Sequence, residues 1–141
     1  MSGYDRALYQ TYLHAVPMFA RCTPEQLDRI ADSGTALSTK QGGDIVREGE
    51  PGDDFFVITS GKARVIRKGK EVGELGVGDY FGELALFDPS PRNATVSAAS
   101  DVAVVALSRN NFGKVLDQVP AIRDALLHGM AHRLHELDSR A

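Results

Sequence analysis

Between residues 35 and 108, glycine and proline interrupt the sequence every few positions, and this punctuation constrains the fold more than any other feature. The segments that they separate are short and rich in β-branched and aromatic side chains, as in Phe55–Ile58, Ala63–Ile66 and Val102–Val105. Such segments are typical of β-strands joined by tight turns. We predict a mainly β, α+β fold built on an antiparallel β-roll or jelly roll, with Lys68-Gly69-Lys70 as a hairpin turn.

Helical patterns flank this predicted roll on both sides. Residues 4–15 carry apolar side chains at helical spacing, and Thr23-Pro24-Glu25-Gln26 has the cap and first-turn proline of a second short helix. After the roll, residues 109–118 and 120–137 are predicted to be two C-terminal helices. We therefore predict one domain over residues 1–141, with N-terminal helices at 1–34, the roll at 35–108 and the C-terminal helices at 109–138.

One stretch inside the roll, Phe81–Val96, places Glu83 and Arg92 among apolar residues, glycine and proline. Gly82 allows a sharp backbone turn at the end of a strand. The residues after it have room for about one helical turn, whose free N–H groups can face an anion. Arg92 can supply a planar guanidinium from the other side. The stretch is interpreted as a phosphate pocket with an internal phosphate-binding helix.

The run Phe-Gly-Glu-Leu-Ala-Leu, a short spacer and then Pro-Arg-Asn-Ala-Thr-Val resembles the phosphate-binding cassette of the cyclic nucleotide-binding domain family. That family includes catabolite activator proteins, regulatory subunits of cyclic-AMP-dependent kinase and cyclic-nucleotide-gated channels. The resemblance extends over roughly residues 15–137 and places the cassette at residues 81–94.

The resemblance also implies roles for individual cassette residues. Glu83 would accept the ribose 2′-hydroxyl, and Arg92 would pair with the cyclic phosphate. Backbone N–H groups would donate to phosphate oxygens from Gly82, Leu84 and Ala85, and the rim would be lined by Asn93 and Ala94.

A hinge and a lid are implied as well. In the family that the chain resembles, a hinge leucine that aligns with Leu86 repacks when ligand binds, and the last helix closes over the base. Strand alternation places Val65 and Val72 on one face with Ala63, where they can contact a base, although a role in the core explains them equally well. The candidate contacts on the lid are Arg133, Leu134 and Leu137.

The sequence does not favour either of two kinds of metal site. His128, His132 and His135 share one helix face, but they lie opposite its apolar arc, which favours a solvated surface over a metal site. A metal-dependent jelly-roll enzyme of the cupin kind needs histidines on its strands, and the predicted strands contain none. No nucleophile elbow or triphosphate-binding loop is present either. We expect a binding module without metal or cofactor.

Composition excludes further classes of function. The 141 residues are 43% hydrophobic and 25% charged, which is typical of a folded globular protein. The net charge of −3 gives no support for nucleic-acid binding. Cys22 is the single cysteine, so an internal disulfide is impossible and a cytoplasmic location is expected. The apolar runs are too short to cross a membrane.

Together these inferences predict a cytoplasmic sensor of a cyclic nucleotide that signals to an unidentified effector protein, as a monomer or as a weak homodimer through its C-terminal helix. Cyclic AMP is expected over cyclic GMP, because family members that favour cyclic GMP often have Thr or Ser after the arginine, where this chain has Asn93. Two alternatives stay open. The chain can be the excised sensor of a channel, kinase or transporter, or a degenerate member that serves in protein–protein contact.

Overall fold

The computed structural model describes residues 5–128 apart from positions 87, 89 and 126, with the side chains at 18 and 84 also left out. Within this range the chain forms two compact units. One unit is Gly34–Arg109; the other contains Asp5–Ser33 and the chain from Asn110. The predicted lid residues Arg133, Leu134 and Leu137 lie outside the described residues.

The Gly34–Arg109 unit is an antiparallel β-roll, as predicted. Its strands form two four-stranded sheets, in the orders β1-β10-β4-β7 and β2-β9-β5-β6, and a short third sheet of β3 and β8. The strand bounds are β1 Thr35–Thr39, β2 Asp44–Val46, β3 Pro51–Gly52, β4 Asp54–Ser60, β5 Ala63–Arg67, β6 Lys70–Leu75, β7 Tyr80–Phe81, β8 Ser90–Pro91, β9 Thr95–Ala98 and β10 Val102–Ser108.

Alternate residues of β4, β9 and β10 face one another and, together with Ala63 of β5, form the core of the roll. The buried members are Phe56, Ile58, Ala63, Val96, Ala98, Val102, Val104 and Ala106. Phe55 and Val57, on the other face of β4, are also fully buried. Burial on both faces explains why the sequence of this strand contains an unbroken run of apolar residues. Phe56 also stacks on Phe81, with ring centroids 4.9 Å apart, and so fixes β7 beside β4.

The hairpin between β5 and β6 confirms one prediction and bears on another. Lys68 and Gly69 have φ of +53° and +78°, as expected of a two-residue primed turn. Val65 lies opposite Gly73, and the register shifts at the next position, so Val72 is the extra residue of a bulge. Val72 is 55% exposed. Val72 therefore does not pack in the core with Ala63 and Val65, and its contact with a base stays a prediction.

The helical unit contains α1 (Arg6–Ala15), a 3-10 turn at Pro17–Phe19, α2 (Pro24–Asp32) and α3 (Arg109–Gln118), of which Arg109 belongs to the roll unit. A further helix is described over 120–125. These elements confirm the predicted N-terminal helices and the first C-terminal helix, while the 3-10 turn was not predicted. None of the described helices is long and apolar enough to cross a membrane.

The start of α2 has the predicted capping box. Thr23 Oγ1 accepts a hydrogen bond from the Gln26 N–H at 3.2 Å, and the Gln26 side chain accepts one from the Thr23 N–H at 2.9 Å. Each bond satisfies an N–H that the helix itself leaves unpaired.

Candidate ligand-binding site

A cavity of about 270 Å³ lies beside the turn that follows β7. The residues that line it are Gly82, Glu83, Ala85, Ser90, Pro91, Arg92 and Asn93. Most of the predicted cassette is thus brought together around one opening. Ala94 differs, because it is only 6% exposed and does not line the cavity, contrary to the rim position that the resemblance implied.

The wall of the cavity begins with a sharp change of backbone direction at Gly82, whose φ is +82°. A 3-10 turn, Glu83–Leu86, follows and packs against β4. The predicted internal helix is therefore a single 3-10 turn. Its Ala85 N–H already donates to the Gly82 carbonyl at 3.1 Å, so it can reach a ligand only by sharing or giving up that bond.

Arg92 forms the opposite wall, and the roll holds its guanidinium in three ways. Nη2 donates to the backbone carbonyl of Asp54 at 2.9 Å. Cζ lies 5.7 Å from the centroid of the Phe56 ring, which places the cation over an aromatic face. Glycines flank it on two sides: a Cβ at Gly82 would come within 2.7 Å of Nη1, and a Cβ at Gly52 would overlap Nε.

Burial and neighbouring carboxylates set the electrostatics of this wall. Burial lowers the pKa of Arg92, while the charges of Asp54 and Asp53 raise it. Burial raises the pKa of Asp54, and Asp53 raises it further, while Arg92 acts in the opposite direction. Arginine stays protonated at any working pH, so the cavity presents a fixed positive charge.

Glu83 and Arg92 do not form an ion pair with each other, and neither pairs with any other side chain within the described part of the chain. An ordinary ion pair between these two side chains therefore does not account for the presence of both charges in this stretch. Both charges line the cavity and are available to a ligand.

The remaining predicted positions are distributed differently. Val65 packs against the core of the roll and does not line the cavity. Leu86, the predicted hinge, is buried at the end of the 3-10 turn. His128 is exposed, and the other two histidines of its predicted face lie outside the described residues.

Sequence reasoning missed the segment that lies behind Arg92. Pro51 and Gly52 pair with Pro91 and Ser90 in the two-residue ladder of β3 and β8, which brings the Asp54 carbonyl to the guanidinium. The sequence signals a turn at Pro51-Gly52 but gives no sign of its distant partner, because a ladder this short has no hydrophobic periodicity.

Comparison with known proteins decides the family. A family model for the cyclic nucleotide-binding domain matches residues 37–119, which is more than half of the chain. The chain belongs to the cyclic nucleotide-binding domain family. Over 119 residues it is 40% identical to a cAMP-dependent protein kinase regulatory subunit from Aspergillus niger, a match that covers 83% of this chain and 29% of that protein. The domain thus spans less than a third of that relative.

Solved structures show the same fold. The N-terminal domain of a transcriptional regulator from Streptomyces coelicolor A3(2) superposes with a TM-score of 0.84 at 33% identity, covering 91% of this chain and 95% of that one. The regulatory domain of Toxoplasma gondii PKA, crystallised with cAMP, gives a TM-score of 0.68 at 30% identity over 90% of this chain and 50% of that one. The mainly β roll is confirmed by both.

Proposed function

We propose that this domain binds 3′,5′-cyclic AMP in the cavity beside Arg92 and acts as a sensor. The observation that carries the proposal is a half-buried guanidinium that forms no salt bridge in the described chain, although the charges of Asp54 and Asp53 act on it, and that faces a cavity which Glu83 also lines. A buried charge without a partner is costly, and an anionic ligand that reaches it removes that cost. A named relative and a solved neighbour, both described in terms of cAMP, support the choice of ligand.

The two charges divide the ligand between them. Guanidinium donors match the oxygens of a phosphate in a bidentate arrangement, so Arg92 takes the cyclic phosphate. An ionised carboxylate only accepts hydrogen bonds, so Glu83 takes the ribose 2′-hydroxyl as its donor. Backbone N–H groups of the turn from Gly82 to Ala85 complete the phosphate site. The cavity, at about 270 Å³, is close to the lower end of small-molecule sites, about 300 Å³.

The base has fewer partners in the described residues. Asn93 is exposed at the mouth of the cavity, and its amide can hydrogen-bond a purine edge. Val72 is exposed at the bulge of the β5–β6 hairpin, and Val65 packs against the core of the roll; a base contact by either residue stays a prediction. Preference for cyclic AMP over cyclic GMP is accordingly part of the proposal, with Asn93 as the residue that bears on it.

Signalling is proposed to follow from a population shift between two arrangements of the elements after the roll. Leu86 is the proposed hinge, and the helix that starts at residue 120 is the proposed lid, with Arg133, Leu134 and Leu137 as candidate base contacts. The proposed output is contact with an effector protein in the cytoplasm, by binding and not by catalysis.

Calorimetric titration with cyclic AMP and cyclic GMP, side by side, tests the ligand. We expect saturable heat with cyclic AMP and weaker binding of cyclic GMP, with 5′-AMP as the control that lacks the cyclic phosphate. Arg92→Ala should weaken binding by about 2–5 kcal/mol, as expected when one partner of a buried charge pair is removed. Arg64→Ala, an exposed arginine of the same roll, should change it by less than about 0.5 kcal/mol. Flat responses to both cyclic nucleotides would overturn the proposal.

The role of Glu83 has its own test. Glu83→Ala should weaken binding less than Arg92→Ala, because a single hydrogen bond to the ribose is lost. The parent should bind 2′-deoxy cyclic AMP more weakly than cyclic AMP, and Glu83→Ala should bind the two nucleotides with equal affinity. A variant that still discriminates between them would show that another group reads the 2′-hydroxyl.

A further inference from the structure

The backbone N–H and the backbone carbonyl of Arg92 both form hydrogen bonds with the turn that follows β2. Gly49 N–H donates to the Arg92 carbonyl at 2.7 Å, and Arg92 N–H donates to the Glu50 carbonyl at 2.9 Å. These bonds fix the main chain from which the guanidinium extends. The position of the cation therefore depends on the conformation of this turn as well as on the packing of the side chain itself.

The β5–β6 hairpin turn holds the residues just after Arg92. Arg67, at the end of β5, donates from Nε to the carbonyl of Asn93 at 3.1 Å. The next residue, Lys68, has φ of +53°, which a side chain other than glycine adopts at an energetic cost. This turn needs stabilising contacts to hold Arg67 in reach of Asn93.

Glu48 links the two turns. Its Oε1 accepts a hydrogen bond from the Lys68 N–H at 2.9 Å, and its own N–H donates to Thr95 Oγ1 at 2.9 Å. Its carboxylate forms no ion pair among the described residues. The charge is thus directed at a backbone donor of the strained turn, and a bond between an ionised acceptor and an N–H is stronger than a neutral one.

We propose that Glu48 is a positioning residue for Arg92. By bonding Lys68 it keeps the hairpin turn and the β2 turn in register, and these two turns together fix the main chain from Arg92 to Thr95. Glu48 does not line the cavity, so its effect on a ligand passes through the arginine. The expected effect on nucleotide affinity rests on the proposed function, whereas the positioning of the Arg92 main chain does not.

Three variants test the affinity. Glu48→Ala removes the acceptor and should raise the Kd for cyclic AMP by about threefold to tenfold, the effect of one lost hydrogen bond. Glu48→Gln keeps a neutral acceptor oxygen, which bonds an N–H more weakly than a carboxylate does, and its Kd should lie between those of the parent and Glu48→Ala. Glu71→Ala removes an exposed carboxylate of the same hairpin, 3.8 Å from Arg64, and should bind like the parent. Equal Kd values for Glu48→Ala and Glu71→Ala would overturn the proposal.

Amide hydrogen exchange without nucleotide gives a second readout that does not depend on ligand identity. NMR should show the Gly49, Lys68 and Arg92 amides exchanging at least about threefold faster in Glu48→Ala, with Glu48→Gln restoring part of the protection. Unchanged exchange would overturn the positioning role even if affinity fell. A parent that fails to bind cyclic nucleotide would overturn the proposed function, while accelerated exchange at these amides would still support the positioning role.

Discussion

Arg92 shows how a site residue depends on neighbours that never touch the ligand. Its guanidinium has lost part of its hydration, and burial lowers its pKa accordingly. A backbone carbonyl and an aromatic face replace some of the lost interactions. Neither carries a full negative charge, and the carboxylates of Asp54 and Asp53 act on Arg92 without forming a salt bridge, which leaves direct contact open to an anion. The side chain is therefore held in place without being neutralised.

Gly52 is the residue whose substitution tests this arrangement most directly. An alanine Cβ there would overlap the Arg92 guanidinium, whereas the backbone of Gly52 is not in the left-handed region. Gly52→Ala should weaken cyclic AMP binding, because overpacking costs about 1–3 kcal/mol and the guanidinium should move to avoid that cost. Calorimetry with parent and variant measures the change.

A matched control for that substitution is Gly76→Ala. A Cβ at Gly76 would meet no atom within 4 Å, and its backbone is also outside the left-handed region. This variant should bind cyclic AMP like the parent. If both alanine variants bind equally well, the close fit of Gly52 against Arg92 does not determine affinity.

At the scale of elements, the sequence predicted well those features that depend on residues close together in the chain. The capping box at Thr23 and the primed turn at Lys68-Gly69 depend on residues that are adjacent in the chain, so their signatures are readable without a structure. The glycine turn and the arginine of the cassette were located in the same way. Their spacing places both beside one cavity.

The features that sequence reasoning missed depend on pairing between distant segments. The bulge at Val72 is a shift of register between β5 and β6, and alternation along one strand cannot reveal it. The ladder of β3 and β8 is two residues long and carries proline on both strands. Its effect on the site, through Gly52 and Asp54, appears only once the chain is folded.

The capping box also gives a prediction for the helical unit. Thr23→Ala removes the acceptor for the Gln26 N–H and should lower the free energy of unfolding by about 1 kcal/mol. Thr23→Ser keeps the acceptor and should restore most of it. Urea denaturation followed by circular dichroism measures both variants.

Thr11 provides the control for this helix-capping prediction. Its hydroxyl donates to the Ala7 carbonyl inside α1, and this bond does not cap the N-terminus of a helix. Thr11→Ala should therefore leave stability unchanged or raise it by a few tenths of a kcal/mol, about the difference in helix propensity. A loss equal to that of Thr23→Ala would mean that the cap contributes nothing specific.

At the scale of the whole molecule, the buried thiol of Cys22 couples folding to alkaline pH. Cys22 is 6% exposed, and burial raises its pKa from the ordinary 9.0 to about 11. Below pH 9 the thiol is protonated in the folded and the unfolded state, so it adds no pH dependence. Between pH 9 and 11 the unfolded chain loses the proton first, which favours unfolding.

The free energy of unfolding should therefore fall as pH rises through this window, by about 2–3 kcal/mol for a pKa difference of about two units. Urea titrations under reducing conditions from pH 8 to 11 measure the slope. Lysine and tyrosine titrate in the same range, so Cys22→Ala serves as the reference that retains their contribution. The stability of the parent relative to Cys22→Ala should decline across the window. Parallel curves for the two proteins would show that the thiol ionises as freely in the folded chain as in the unfolded one.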